Sequence, residues 1–104
     1  LTEYDGERYY NDVTCRLLAM ACVHNDHLKS LDLSNNKITH VGARFLAECL
    51  EENKSITQLT MINNQIGDKG AKALTSAMGP NDSIEVIEVD NNGISDDSME
   101  ALSY

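Results

Sequence analysis

The sequence predicts an α/β fold built as a solenoid of strand-and-helix units, and three observations carry that expectation. Leu28, Ile56 and Ile84 stand at equal intervals of 28 residues, and everything around them repeats with them. Inside each interval a short apolar alternation gives way to apolar residues spaced three and four apart, which is the change from a strand period to a helix period. Asparagine, serine, aspartate and glycine fill the junctions, where turns and helix starts favour them.

Taken in order, the first full unit is Leu28-x-x-Leu31-x-Leu33-x-x-Asn36-x-Ile38. The second is Ile56-x-x-Leu59-x-Met61-x-x-Asn64-x-Ile66, and the third Ile84-x-x-Ile87-x-Val89-x-x-Asn92-x-Ile94. Helices follow, with Ala43, Leu46, Ala47 and Leu50 in one unit and Ala71, Leu74, Ala77 and Met78 in the next. Thr39, Asp68 and either Ser95 or Asp96 are the expected N-caps. Gly42 and Gly70 sit at helix starts, where a side chain would obstruct close packing. Asn53 and the Gly79-Pro80-Asn81 run end the helices.

Carried backward, the same spacing places Cys15, Leu18, Ala19 and Cys22 in a helix ahead of the first full unit, with Asn25 matching Asn53. Its strand half is absent, because Glu3, Asp5 and Arg8 occupy the columns that should hold leucine and asparagine. Residues 1–27 are therefore expected to be a degenerate repeat or cap with a helix, followed by repeats over 28–55 and 56–83 and an incomplete one over 84–104. Both ends look unfinished, and solenoids need polar caps. The expectation is a segment of a longer repeat protein, or ends covered by a partner.

The run Leu31-Asp32-Leu33-Ser34-Asn35-Asn36-Lys37-Ile38 resembles the LxLxxNxI core of leucine-rich repeats. The 28-residue period with a full helix is similar to the ribonuclease-inhibitor-like class of that family, over Asp12 to Tyr104. The resemblance implies a right-handed superhelix with a short parallel sheet on its concave side and helices on its convex side. Ser98, where earlier units have glycine, is a mild departure.

Composition narrows the function. Eight Lys+Arg against 17 Asp+Glu give a net charge of -9, which repels a phosphate backbone and argues against nucleic acid. No Lys or Arg follows Gly79, while Asp82, Glu85, Glu88, Asp90, Asp96, Asp97 and Glu100 do, so a basic partner suits the chain. No apolar run reaches the roughly 20 residues of a membrane helix, and Leu1-Thr2-Glu3-Tyr4-Asp5 does not look like a signal peptide. Cys15, Cys22 and Cys49 are odd in number and sit in apolar helical patterns, which suits buried hydrophobes in a reducing, cytoplasmic setting.

The constellations that could carry chemistry are weak. His24 and His27 with Cys15 and Cys22 have poor zinc spacing. Glu88-Val89-Asp90-Asn91-Asn92-Gly93 begins like a calcium loop but puts Ser95 and Met99 where it needs an apolar residue and a glutamate. Gly67-Asp68-Lys69-Gly70-Ala71-Lys72 lacks the ending of a phosphate loop. Asn53-Lys54-Ser55 and Asn81-Asp82-Ser83 match the glycosylation acceptor but occupy the recurring turn. No metal, cofactor or catalysis is expected.

Asn36, Asn64 and Asn92 are read as structural, satisfying backbone where the chain leaves the strand. The candidate partner-binding residues are the outward strand positions, Ser30, Asp32 and Ser34, then Gln58, Thr60 and Ile62, then Val86, Glu88 and Asp90. Ile62 and Val86 are apolar at water-facing positions, and Asp32, Glu88 and Asp90 surround them with negative charge. The function expected is a protein-interaction scaffold or recognition module. The alternatives are a regulator of an enzyme, an inhibitor or GTPase activator, and a structural subunit of a large cytoskeletal or ciliary assembly.

Overall fold

Residues 12–102 are described by a computed structural model. The element order is α1 (Asp12–Cys22), β1 (Ser30–Asp32), α2 (His40–Glu52), β2 (Gln58–Thr60), α3 (Gly67–Met78), β3 (Val86–Glu88) and α4 (Asp96–Leu102). Of residues 1–27, read above as a degenerate repeat or cap with a helix, residues 1–11 lie outside the described residues.

The three strands pair in parallel in the order β1-β2-β3, with Ser30, Gln58 and Val86 in register, then Leu31, Leu59 and Ile87, then Asp32, Thr60 and Glu88. Each register step equals the sequence period, so every column of the sequence becomes a row across the sheet. Because successive side chains of a strand point to opposite faces, one face collects Leu31, Leu59 and Ile87 and the other collects the polar positions. The inward face packs on the helices. Leu33, Ile38, Ala43, Leu46, Leu50, Ile56, Leu59, Met61, Ile66 and Leu74 are all buried in one continuous core. Each fully buried Leu or Ile contributes roughly 2 kcal/mol of apolar transfer energy.

The helices stack through close contacts at their first turns. A side chain on Gly70 would run into the Ile66 side chain and stand 3.1 Å from Ala43 Cβ, and one on Gly42 would stand 2.7 Å from Ile38 Cγ2. The column is glycine because a Cβ there would meet the isoleucine four residues earlier in its own unit and crowd the helix of the preceding unit.

Buried asparagine holds the units in register. The Asn64 carbonyl accepts from Asn36 N at 2.9 Å and Ile38 N at 3.0 Å in the preceding unit. Its Nδ2 donates to Leu33 O at 2.9 Å and to Met61 O at 3.1 Å. Asn92 repeats the pattern, accepting from Ile66 N at 3.2 Å and donating to Met61 O and Val89 O at 2.7 and 2.8 Å. A second set works at the turn after each helix. Asn53 Nδ2 donates to Cys22 O and Asn25 O, while its carbonyl accepts from Ser55 N and Ile56 N. Asn81 does the same one unit later.

The helix starts depart from expectation in one place. Thr39 caps α2, its hydroxyl accepting from Val41 N at 3.2 Å, and Ser95 caps α4 through Ser98 N at 3.3 Å. Asp68 does not cap α3: Ile66 holds the N-cap position without a side-chain bond, and Asp68 lies in the first turn. The cause is Gly67, which occupies the column of Thr39 and Ser95 and has no oxygen to offer. Asp68 instead accepts from Ser95 N in the next unit at 2.7 Å, just as Asp12 accepts from Thr39 N at 2.9 Å and Gly42 N at 3.0 Å. A carboxylate in one unit thus supports the helix start of the next, where the dipole favours negative charge.

Two outcomes follow. Replacing Asn64 with Ala orphans buried backbone groups in two units, and urea denaturation is expected to show a loss of about 3 kcal/mol with the slope unchanged. The bond from Ser95 N, aided by the Ser95 and Ser98 side chains, holds the Asp68 carboxyl below the ordinary aspartate value of 3.8. Its stabilising contribution is therefore present above that value and lost as pH falls through the lower, folded one. Hydrogen exchange at α4 should rise on acidification in that range, and Asp68→Asn should remove that pH dependence.

Candidate functional site

The outward face of the sheet is three strands wide, with neighbouring strands about 4.8 Å apart. Its first row is Ser30, Gln58 and Val86; its second is Asp32, Thr60 and Glu88. Ser30, Asp32, Val86 and Glu88 are exposed, and Gln58 and Thr60 are half-buried. Ser34, Ile62 and Asp90 fall beyond the strands, which are only three residues long, in the turns that follow them. They still form a third row, because the backbone ladder continues through Asn35 N to Ile62 O at 2.9 Å and Asn63 N to Asp90 O at 3.1 Å.

These residues are not equally free. The Ser34 hydroxyl accepts from Ile62 N at 3.0 Å, and Asp32 Oδ1 accepts from Ser34 N at 3.0 Å, so both side chains also brace the turn. Thr60 donates to Glu88 Oε1 at 3.1 Å and Gln58 Nε2 reaches the same oxygen at 3.5 Å, which orients that carboxylate across two strands. Ile62 is half-buried, whereas Val86 is 43% exposed. Asp90 is exposed beside them. None of the nine positions is a lysine or arginine. The exposed ion pairs His27 to Asp26, at 3.2 Å, and Lys54 to Asp82, at 3.8 Å, lie in the interrepeat turns. The face therefore carries Val86 at one corner, with Glu88 next to it on β3 and Asp90 and Asp32 farther off, and none of its nine positions is a cation.

One feature of its rim is not apparent from the apolar columns. Asn35, Asn63 and Asn91, at φ 65°, 62° and 62°, form an exposed ladder in which Asn63 donates to Asn35 and Asn91 to Asn63. Asparagine tolerates the left-handed backbone of these turns, and its amide then bridges consecutive units. The 28-residue spacing was the available signal.

The other constellations dissolve in the core or the turns. Cys15 and Cys22 are buried while His24 and His27 are exposed, so the four do not converge. In the run Glu88 to Gly93, the Asn92 amide is already held by Ile66, Met61 and Val89. Asn53 and Asn81 are buried and fully bonded. Among the described residues no group of three or more His, Cys, Asp or Glu could hold a metal ion, and no helix is long and apolar enough to cross a membrane.

A stack of strand-helix units with an open sheet face defines a repeat solenoid, a class whose continuous surfaces engage large partners. Residues 24–47, 52–74 and 81–103 match the family model described as leucine rich repeat, and the chain belongs to the leucine-rich repeat family. No curated protein matches it. A solved structure that it resembles is actin-binding site 2 (ABS2) of leiomodin-1, with a TM-score of 0.81 and 24% identity. The match covers 89% of this chain and 59% of that one, and the likeness is one of fold.

Burial pushes the Cys15 thiol up to about 12 and the Cys49 thiol up to about 11, and raises Cys22 as well. The reactive thiolate is thereby suppressed. A thiol reagent at pH 8 should leave all three unlabelled in the native chain and label all three in denaturant, as read by intact mass.

Proposed function

We propose that this chain is a protein-recognition module, without catalysis of its own, that binds a basic partner on its concave strand face. The observation that carries the reading is the juxtaposition of exposed Val86 with Asp32, Glu88 and Asp90 on a face that holds no cation. Val86 supplies apolar burial at the edge of the face, and the carboxylates on the same face speed encounter with a positively charged partner and disfavour acidic ones. Glu88 is held in place by Thr60 and Gln58, so less side-chain freedom is lost when a cation meets it.

The three unpaired cysteines support a reducing compartment as the place of action. The asparagines Asn36, Asn64 and Asn92 serve the scaffold, since their amides are spent on backbone groups. Actin is one partner to include in a binding assay, because the similar leiomodin-1 structure is named as an actin-binding site. At 24% identity that likeness supports the fold and leaves the contact residues to experiment.

The experiment is a pull-down from cell extract, followed by titration of the recovered partner against the wild type and the double variant Glu88→Lys, Asp90→Lys. Affinity should fall at least about tenfold, and the wild-type affinity should weaken with added salt. An affinity unchanged in the double variant rules out the acidic concave face as the site.

A further inference from the structure

Val13, Leu17 and Met20 are large apolar residues of α1 that stand 68%, 62% and 66% exposed. Their spacing of four and three residues aligns them on one stripe of the helix. They lie opposite Cys15, Ala19 and Cys22, the buried side of the same helix.

The repeat supplies its own comparison. The columns of Val13, Leu17 and Met20 hold Val41, Phe45 and Glu48 on α2, and Lys69, Ala73 and Ser76 on α3. Stacking of the units therefore does not require large apolar side chains there. What distinguishes α1 is that its apolar residues in these columns are exposed, whereas Val41 and Phe45 of α2 are half-buried and Phe45 packs against the core.

The stripe borders an open groove of about 350 Å³ between α1 and α2, floored by Met20, Val23 and Phe45. Charge is divided along its length. The Arg16 and Arg44 guanidinium groups lie 5.9 and 5.8 Å from the Phe45 ring centroid, in the first halves of their helices. Glu48 and Glu52 stand at the other end, in the last turns of α2. Among the described residues none of these four charges enters an ion pair. The groove between α3 and α4 holds no apolar side chain larger than that of Ala101, beside Lys69, Lys72, Thr75, Asp97 and Ser98.

We propose that this convex groove is a second docking surface, for an amphipathic helix of a partner protein that runs parallel to α1. A helix favours carboxylates at its N-terminus and cations at its C-terminus. Only the parallel direction brings those ends to Arg16 and Arg44, and to Glu48 and Glu52, respectively. The apolar stripe of the partner meets Leu17 and Met20, in the helix-in-groove mode of recognition. This surface is independent of the concave face.

The test uses the full chain and two synthetic peptides of about four helical turns, each with leucine on one stripe. One carries glutamate in its first turn and lysine in its last; the other has the two charge sets exchanged. By calorimetry the first should bind at least about tenfold more tightly than the second. Leu17→Lys with Met20→Lys should weaken it at least about tenfold, Glu48→Lys with Glu52→Lys should abolish the preference between peptides, because both ends of the groove are then positive, and Glu88→Lys with Asp90→Lys should leave it unchanged. All these positions are exposed, and circular dichroism checks that the variants fold. Binding of neither peptide, or equal binding of both, overturns the proposal. So does a dimer in sedimentation that Leu17→Lys dissociates, since a second copy is then the occupant. Binding that appears only after removal of residues 1–11 overturns it too, since the occupant is then that segment.

Discussion

The structure depends on a hydrogen bond that crosses from one unit to the next, between a buried asparagine amide and the backbone of the preceding turn. A chain leaving a strand into a left-handed turn has N–H groups that no neighbouring strand can accept, and burial makes their desolvation expensive. The Asn64 carbonyl accepts two of them, from Asn36 and Ile38, while its amide group ties Leu33 to Met61. Apolar packing alone would tolerate slippage, since the third inward column accepts Leu33, Met61 and Val89 in turn. The amide geometry does not tolerate it, because donors and acceptor sit 26 and 28 residues apart. The constancy of the period follows from that bond more than from the leucines.

The same dependence makes stability uneven along the solenoid. Ile56, Leu59 and Ile66 of the middle unit are each 1% exposed, while Ile84, Ile87 and Ile94 of the following one are only partly buried. A unit flanked on both sides buries its apolar face twice; one flanked on a single side keeps half of it open. Support passed between units, as from Asp68 to Ser95 or from Asn53 to Asn81, therefore matters most where packing is thinnest.

The positions fixed by the 28-residue register were legible in the sequence to the residue: Leu31, Leu59 and Ile87 in line, helices at the three-and-four spacing, glycine where helices touch. Helix starts were less legible. Whether Asp68 caps its own helix or supports the next one depends on Gly67 at the preceding position and on the distance to Ser95, and neither follows from residue preference. The strand length was also hidden, so Ser34, Ile62 and Asp90 belong to turns rather than to strands. The exposed asparagine ladder and the α1 stripe were not legible in the apolar columns, because the core holds neither of them in place.

That asymmetry bears on function. In a repeat protein, a residue that recurs in its column is explained by the stack, and Asn36, Asn53, Gly70 and Ile66 are all of that kind. A residue that breaks its column has no such explanation. On the sheet face, Val86 replaces the serine and glutamine of its row, and Glu88 and Asp90 replace Thr60 and Ile62. On the helical face, Met20 stands where α2 has Glu48 and α3 has Ser76, while the large apolar character of Val13 and Leu17 is shared with Val41 and Phe45 of α2 and lost at Lys69 and Ala73 of α3. The two departures lie on opposite sides of the stack and in different units of it, one acidic and one apolar with divided charge. A single contact patch cannot span both, so a partner that uses both must wrap the edge of the stack, and two partners can occupy them without excluding each other.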